Sequence, residues 1–394
     1  MQIPFNSSRR SSLGIEWELM LVDRETRELS SGATQILQAL LPAGEQEHPK
    51  AKPELFQSIV EVITGVCQTV PEALADLGGT VDQLRPEVDR RGLAMTCSGT
   101  HPTTDWQTQQ ISAGPRYAKL VDDMQWLARR LQIFGVHVHV GVRHPDKAVA
   151  FVNALTAYVP HILALSASSP YWKGRDTGLA SARSKVFEGL PTAGLPFMLD
   201  DWAEFELYME TLLKTKTIAS IKEVWWDIRP HPDFGTVELR IADGMPTLRE
   251  VGMVAAIAQC LVEMFDREVD KGYTLPRPKG WVVRENKWRA VRHGMDASII
   301  SGESHELVPV RDALRELVQD LGPTAERLGC LEQLQGVESI VEAGASYERQ
   351  RAVAAASGGD LTAVVDSLVE EFEKDAPTVL RPPAEGLGAP GAVR

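Results

Sequence analysis

Four stretches of this chain share a pattern that restricts what they can fold into. In "LGIEWELMLVD", Leu13–Asp23, the apolar residues Ile15, Trp17, Leu19 and Leu21 alternate with others, and Glu16 and Glu18 fall between them. Side chains two apart on a strand point the same way, so the two acids share one face and the apolar residues the other. "GVHVHVGV" repeats the pattern with His137 and His139 against valines. "GTVELRIADGMPT" does so with Glu238, Arg240 and, less strictly, Asp243 against Val237, Leu239 and Ile241. "KPELFQSIVEVIT" sets Glu54 just before an apolar run and Glu61 within it.

Each stretch alone has an ordinary explanation. Paired acids or histidines occur on solvated sheet faces, a strand ExR is commonly a surface ion pair of little worth, and Glu54 could be a helix N-terminal acid. Their recurrence carries more weight. If these strands share a sheet whose apolar faces pack on helices, the polar faces converge on one concave surface. That surface would gather Glu16, Glu18, Glu54, Glu61, His137, His139, Glu238 and Arg240. Five carboxylates close together repel, and divalent cations are the natural compensation. A donor set dominated by carboxylates suits Mg2+ or Mn2+; zinc more often takes cysteine or a tighter histidine cluster.

The rest of the pattern indicates the fold class. Alternation predicts strands over 14–22, 59–64, 93–98, 136–142, 225–230 and 236–243. Helical periodicity predicts helices over 34–41, 70–91, 115–131, 147–165, 202–215, 248–271, 284–295, 307–321, 325–343 and 361–374. Strands come singly or in pairs between long helical excursions, without a βαβ rhythm. The expectation is an α+β fold, an antiparallel or mixed sheet backed by helices, rather than a doubly wound one. Neither GxxxxGK[ST] nor a GxGxxG following a strand occurs, so any ATP use relies on neither standard phosphate loop.

Length allows one large domain, and no linker or repeat divides the 394 residues. The expected organisation is a disordered N-terminus over 1–12, a single catalytic domain over 13–376 and a disordered Pro/Gly-rich tail over 377–394. With 41 basic against 54 acidic residues, the formal charge of −13 argues against nucleic acid and anionic membrane surfaces as partners. Cys67, Cys97, Cys260 and Cys330 form no CxxC pair, which fits a reducing cytoplasm better than a disulfide framework or structural zinc site. No apolar leader opens the sequence. The long apolar run 148–169 contains Asn153, Pro160 and His161, and reads as buried helix interrupted at the proline rather than a membrane span.

Six blocks in order, "GIEWELMLVD", "PELFQSIVEVIT", "FGVHVHVGV", "SARSKVFEGLPTAGLP", "VWWDIRPHPDFGTVELRIADGMPT" and "ENKWRAVRHGMDA", resemble the YbdK-like carboxylate–amine ligases of the second glutamate–cysteine ligase family. The resemblance runs from about Leu13 to about Ala297. It implies a glutamine-synthetase-like fold, a curved and mainly antiparallel sheet forming an open funnel backed by helices. It also implies ATP-dependent amide formation through an acyl phosphate, typically joining the γ-carboxylate of glutamate to the amine of cysteine. By motif match, Glu16, Glu18, Glu54, Glu61, His137 and Glu238 would hold metal. Glu238, Arg240, His137 and Arg183 would be catalytic, with Arg240 at the phosphates. Arg183 and Arg229 are candidates for the substrate carboxylate or the transferred phosphoryl group. Asn286 and Lys287 lie in a family block and are candidate nucleotide contacts. Where many relatives carry a further Glu, this chain has Trp17; alternation turns Trp17 to the core, so the loss should be harmless. The implied cofactors are ATP and Mg2+, with Mn2+ as the alternative ion, and the implied partners are a small carboxylate, a small amine and a second copy of the chain. Guanidino-kinase-type phosphoryl transfer, an adenylating ligase and a non-catalytic nucleotide or amino-acid binder remain alternatives.

Overall fold

The computed structural model describes residues 2–302 and 304–378. Its strands, in chain order, are β1 (Leu13–Asp23), β2 (Ala51–Pro53), β3 (Ile59–Ile63), β4 (Leu93–Thr96), β5 (Gly135–Gly141) and β6 (Tyr171–Trp172). They continue as β7 (Arg175–Asp176), β8 (Ile228–His231), β9 (Thr236–Asp243), β10 (Ser298–Ser301) and β11 (Glu306–Pro309). Seven form one sheet in the order β2-β3-β1-β5-β9-β8, with β4 also paired to β1. Every pairing in it is antiparallel. The remaining four make two small hairpins, β6–β7 and β10–β11.

β1 is the axis of the sheet. Along one edge Glu16–Met20 pair with β3. Along the other, Leu13–Trp17 pair with β5 and Met20–Asp23 with β4. The face carrying Ile15, Trp17, Val138, Val237 and Leu239 joins one hydrophobic core with the helices Val70–Asp89, Leu248–Asp270 and Val159–Ser166. The stripe of Val251, Val254, Ala255, Ala258, Leu261, Val262 and Phe265 is buried in that core, as its spacing predicts. Helix starts are marked in the sequence. Thr69 and Glu72 form a capping box at Val70, and Thr247 accepts the Glu250 amide at the start of Leu248–Asp270.

The apolar run behaves as its polar interruptions suggest. It forms the helices Pro145–Leu155 and Val159–Ser166 with a 3₁₀ turn between, and Pro160 occupies the first turn of the second helix, where its missing N–H costs nothing. Most of this surface is buried inside the fold.

Several local expectations differ from the structure. Residues 2–12 pack rather than hang free: Ile3 is buried beside Trp202 and Phe205, and the amides of Asn6 and Ser8 donate to the carbonyls of Pro232 and Val142. The Ser/Arg-rich composition hid one anchor, Arg10, which binds Glu263, Asp266 and Asp270. The tail expected over 377–394 falls outside the described residues beyond Thr378. The helix expected over 307–321 begins instead at Val310, because 306–309 pair with 298–301. It then runs past Pro323 to Leu328 and stops at Gly329 in the left-handed conformation that favours glycine. β8 starts at Ile228, later than expected, and as an edge strand it tolerates Pro230.

Candidate active site

The strand register builds the site. Glu16 lies opposite His137, Glu18 opposite Glu61, His139 opposite Glu238, and Glu238 opposite Arg229. Residues directly across an antiparallel ladder have Cβ atoms only about 5 Å apart, so five strands, β1, β3, β5, β8 and β9, deliver acids, histidines and arginines to one face of the sheet. Trp17 points the other way, donating Nε1–H to the carbonyl of Met245 and packing on Phe372.

His137 joins the two halves of this face. Its Nδ1 is 2.9 Å from Glu16 Oε2, and its Nε2 is 3.9 Å from Glu18 Oε1. Burial, with help from the Arg240 charge, pushes its pKa down to about 4, so the ring is neutral at pH 7. Burial alone would raise Glu16, but the hydrogen bond of His137 and the proximity of His139 more than offset it and hold the carboxylate well below its ordinary range. An ionised carboxylate can only accept, which assigns the ring proton to Nδ1 and leaves the Nε2 lone pair toward Glu18. His139 Nε2 lies 3.3 Å from Glu16 Oε1 and its Nδ1 is 3.0 Å from Thr236 Oγ1. Burial opposes charge on His139, yet Glu238 and Glu16 raise its pKa overall.

At one end, positive charge dominates. Glu238, 1% exposed, accepts from Arg229 Nε at 2.7 Å and from Arg240 Nη1. Burial pushes this carboxyl up, but the two guanidiniums hold it well below the ordinary range. At the other end the acids have few cations. Burial and the charge of Glu54 push Glu18 up to about 7, although Gly135 donates its amide to Glu18 Oε2 at 2.5 Å. Burial, then Glu16, Glu54 and Glu18, push Glu61 well above its usual range. Burial also raises Glu54, whose Oε2 accepts the Leu55 amide.

These donors fit hard divalent ions. Glu16, His137 and Glu238 offer ligand atoms within 4.8 Å of one another, and so do Glu18, Glu61 and His137. Each set is two carboxylates and one imidazole. Glu54 stands beside the second set without belonging to either. The raised carboxyls of Glu18 and Glu61 supply the physical case for the second set, since crowded, desolvated like charges with so little compensation call for a cation.

The other expected residues divide. Arg183 reaches the site, its Nη2 donating to the carbonyl of Arg240 at 3.2 Å, and both guanidiniums lie near the ring of Phe187. Lys287 is buried between Asp227 and Glu188, 2.5 Å from each, and Asp227 in turn accepts the Arg240 amide through its carbonyl. Asn286 is turned elsewhere, exchanging two hydrogen bonds with the backbone of Ile300 and pinning β10. Gly135 and Phe187 contribute to the site without a distinctive sequence signal. The chemistry of a backbone amide and a ring beside two arginines is written in the tertiary structure alone.

The family model for "Glutamate-cysteine ligase family 2" matches residues 12–367. The chain belongs to that family. A Frankia alni protein provisionally named glutamate–cysteine ligase 2-1 is 62% identical over 380 residues, covering 96% of this chain and all of that one. A Thermobifida fusca protein with the provisional name glutamate–cysteine ligase 2 is 55% identical, covering 96% and 95%. Solved structures share the fold at much lower identity. The glutamate–cysteine ligase of Francisella tularensis, crystallised with AMP, has a TM-score of 0.65 at 12% identity, covering 93% of this chain and 90% of that one. The bifunctional glutathione synthetase of Pasteurella multocida also gives 0.65, at 14% identity over 93% of this chain; the chain spans 52% of that larger protein. This glutamate–cysteine ligase family 2 member therefore has the α+β fold that its strand pattern implied and the glutamine-synthetase-like architecture that the family resemblance implied.

Proposed function

We propose that this protein is an ATP-dependent carboxylate–amine ligase that joins an acid to an amine through an acyl phosphate, releasing ADP and phosphate. The acid is glutamate-like, activated at its γ-carboxylate, and the amine is cysteine-like. The observation that carries this reading is the side-by-side arrangement of an undercompensated acid cluster and arginines with idle N–H donors: Nε of both Arg183 and Arg240 is buried without a partner among the described residues.

A carboxylate and the γ-phosphate of ATP repel each other, so their approach requires positive charge on both. Mg2+, held by Glu16, Glu18, Glu61, Glu238 and His137 with Glu54 alongside, would supply the charge that neutralises the phosphate oxygens; Mn2+ suits the same donors. In this reading Arg240 stabilises charge on the transferring oxygens and Arg183 receives the acid. Arg229 fixes Glu238, and His139 fixes Glu16. Lys287 acts at one remove from the nucleotide, steadying Arg240 through Asp227. No enzyme nucleophile is required, consistent with four buried cysteines that are all free thiols. We read residues 13–376 as one catalytic domain, acting in the cytoplasm on small molecules and able to assemble with further copies of itself.

The test is nucleotide release with Mg2+ across a panel of amino acids and amines, followed by mass spectrometry of the product. ADP with an amide product is expected. AMP release would indicate adenylation, a phosphorylated guanidine would indicate kinase chemistry, and binding without turnover would indicate a non-catalytic binder; each outcome would overturn the reading.

A further inference from the structure

Arg183 differs from the other arginines of the site. Arg229 and Arg240 both spend donors on Glu238. Among the described residues, the guanidinium of Arg183 makes one hydrogen bond, to the Arg240 carbonyl, and its side chain is only 4% exposed. A guanidinium carries five donors, and leaving most of them idle in a buried position is unfavourable until an anion arrives.

Something must hold this cation in place meanwhile. Asp243, at the end of β9 and fully buried, faces it. The Asp243 carboxylate is fixed by three donors: Ser181 Oγ to Oδ1 at 2.8 Å, Ser169 Oγ to Oδ2 at 2.7 Å, and the Ser168 amide to Oδ2 at 3.1 Å. Arg183 Nη1 stands 3.9 Å from Oδ1, near enough for attraction and too far for a hydrogen bond. The pairing therefore restrains the guanidinium without consuming its donors. Ser169 acts twice, since its Oγ also accepts the Arg183 backbone amide at 3.1 Å. Two glycines keep the space clear. A Cβ at position 99 would lie 2.7 Å from the Asp243 carboxylate, and one at 135 would lie 2.3 Å from Arg183 Nη2.

We propose that Asp243, held by Ser169 and Ser181, is a positioning residue that aims Arg183 at the carboxylate of the acid substrate and so sets the affinity for that substrate. The inference rests on the ligase reading and assigns Asp243 no contact with substrate. It does not depend on metal, because Asp243 lies outside both candidate ligand sets.

Calorimetry with L-glutamate and, separately, MgADP tests it on wild type, Asp243→Asn and Ser181→Ala, alongside steady-state kinetics. Asp243→Asn should weaken L-glutamate binding by about tenfold, a factor corresponding to about 1.4 kcal/mol, and raise KM for glutamate in step. MgADP affinity and kcat should stay within about threefold. Ser181→Ala should shift glutamate binding the same way by a smaller factor, and it decides the matter if the Asn variant does not fold. A merely structural role would lower stability and weaken both ligands together. Glutamate affinity unchanged in both variants, nucleotide affinity falling equally, or no glutamate binding by wild type would overturn the proposal. Absence of turnover by wild type with every acid and amine would instead sink the ligase reading, whatever the binding pattern.

Discussion

Glu238 and Glu18 are the same residue type on neighbouring parts of one sheet face, yet they have opposite fates. Glu238 sits between Arg229 and Arg240 and is held ionised far below its ordinary range. Glu18 faces Glu61 across the ladder, lies near Glu54, and is pushed up to about 7 by burial and that neighbour. The first end is neutralised by the chain itself. The second is undercompensated and calls for charge from outside. His137 spans the two, its Nδ1 committed to Glu16 and its Nε2 toward Glu18. One end of the face thus carries its own compensating cations and the other does not.

The sharpest way to break this comparison is to remove Glu238. Glu238→Gln leaves the guanidiniums of Arg229 and Arg240, 12% and 14% exposed, without their buried carboxylate, and breaking a buried pair in this manner typically costs about 3–5 kcal/mol. Urea unfolding should register a loss of that order, and ligase turnover should fall by about 10²-fold or more as the arginines lose their geometry. Full stability would show that Arg229 and Arg240 are not held by Glu238.

Glu18→Gln should do the opposite to stability while still harming activity. Turnover should drop by about 10²-fold if Glu18 holds an ion that the phosphates require. Metal-free protein, however, should gain stability, and the sign follows from proton linkage. A carboxyl whose folded value is raised from about 4.5 to about 7 binds more protons folded than unfolded in that window, so its contribution to stability declines as pH rises through it. Gln cannot ionise, so in EDTA the advantage of Glu18→Gln over wild type should grow from pH 4.5 to pH 7, approaching about 2–3 kcal/mol. Taking the difference between the two proteins cancels the opposing contributions of His101, His161 and His231, all pushed down to about 4 by burial.

Metal binding should sharpen the same contrast with a smaller effect. Mg2+ must displace the proton that Glu18 retains near neutrality, so affinity should fall as pH drops from 8 to 6 and binding should release protons. Calorimetry in buffers of different ionisation enthalpy measures that release directly. In the Glu18→Gln protein the proton release should shrink; an unchanged release would place the proton on another group, with Glu61 the first to examine.

Much of this site was legible because a strand places residues by parity. Glu16, Glu18, Glu61, His137, His139, Glu238 and Arg240 all lie where two-residue alternation puts them, and their convergence required only that the strands share a sheet. Which acid would be neutralised was not legible, since Arg229 reaches Glu238 through a register that no local pattern encodes. Asn286 shows the reverse case: a polar residue in a family block that the fold uses to hold the backbone of β10. The packed N-terminus was hidden by composition, because a few anchors such as Ile3 and Arg10 outweigh the Ser/Arg-rich residues around them.

Parity also makes the smallest and most discriminating prediction, at Trp17. Its ring belongs to the core and its Nε1–H reaches the Met245 carbonyl at 3.1 Å, so Trp17→Phe removes one buried hydrogen bond and some packing area. Leaving that carbonyl unpaired should cost about 1–3 kcal/mol of stability. Turnover and Mg2+ affinity should change by less than about twofold, since Glu16 and Glu18 on either side face away from it. Thermal unfolding and kinetics on the same preparation separate the two effects. A loss of metal affinity as large as that from Glu18→Gln would mean the two faces of β1 are coupled, and that the acids depend on core packing as much as on their partners across the ladder.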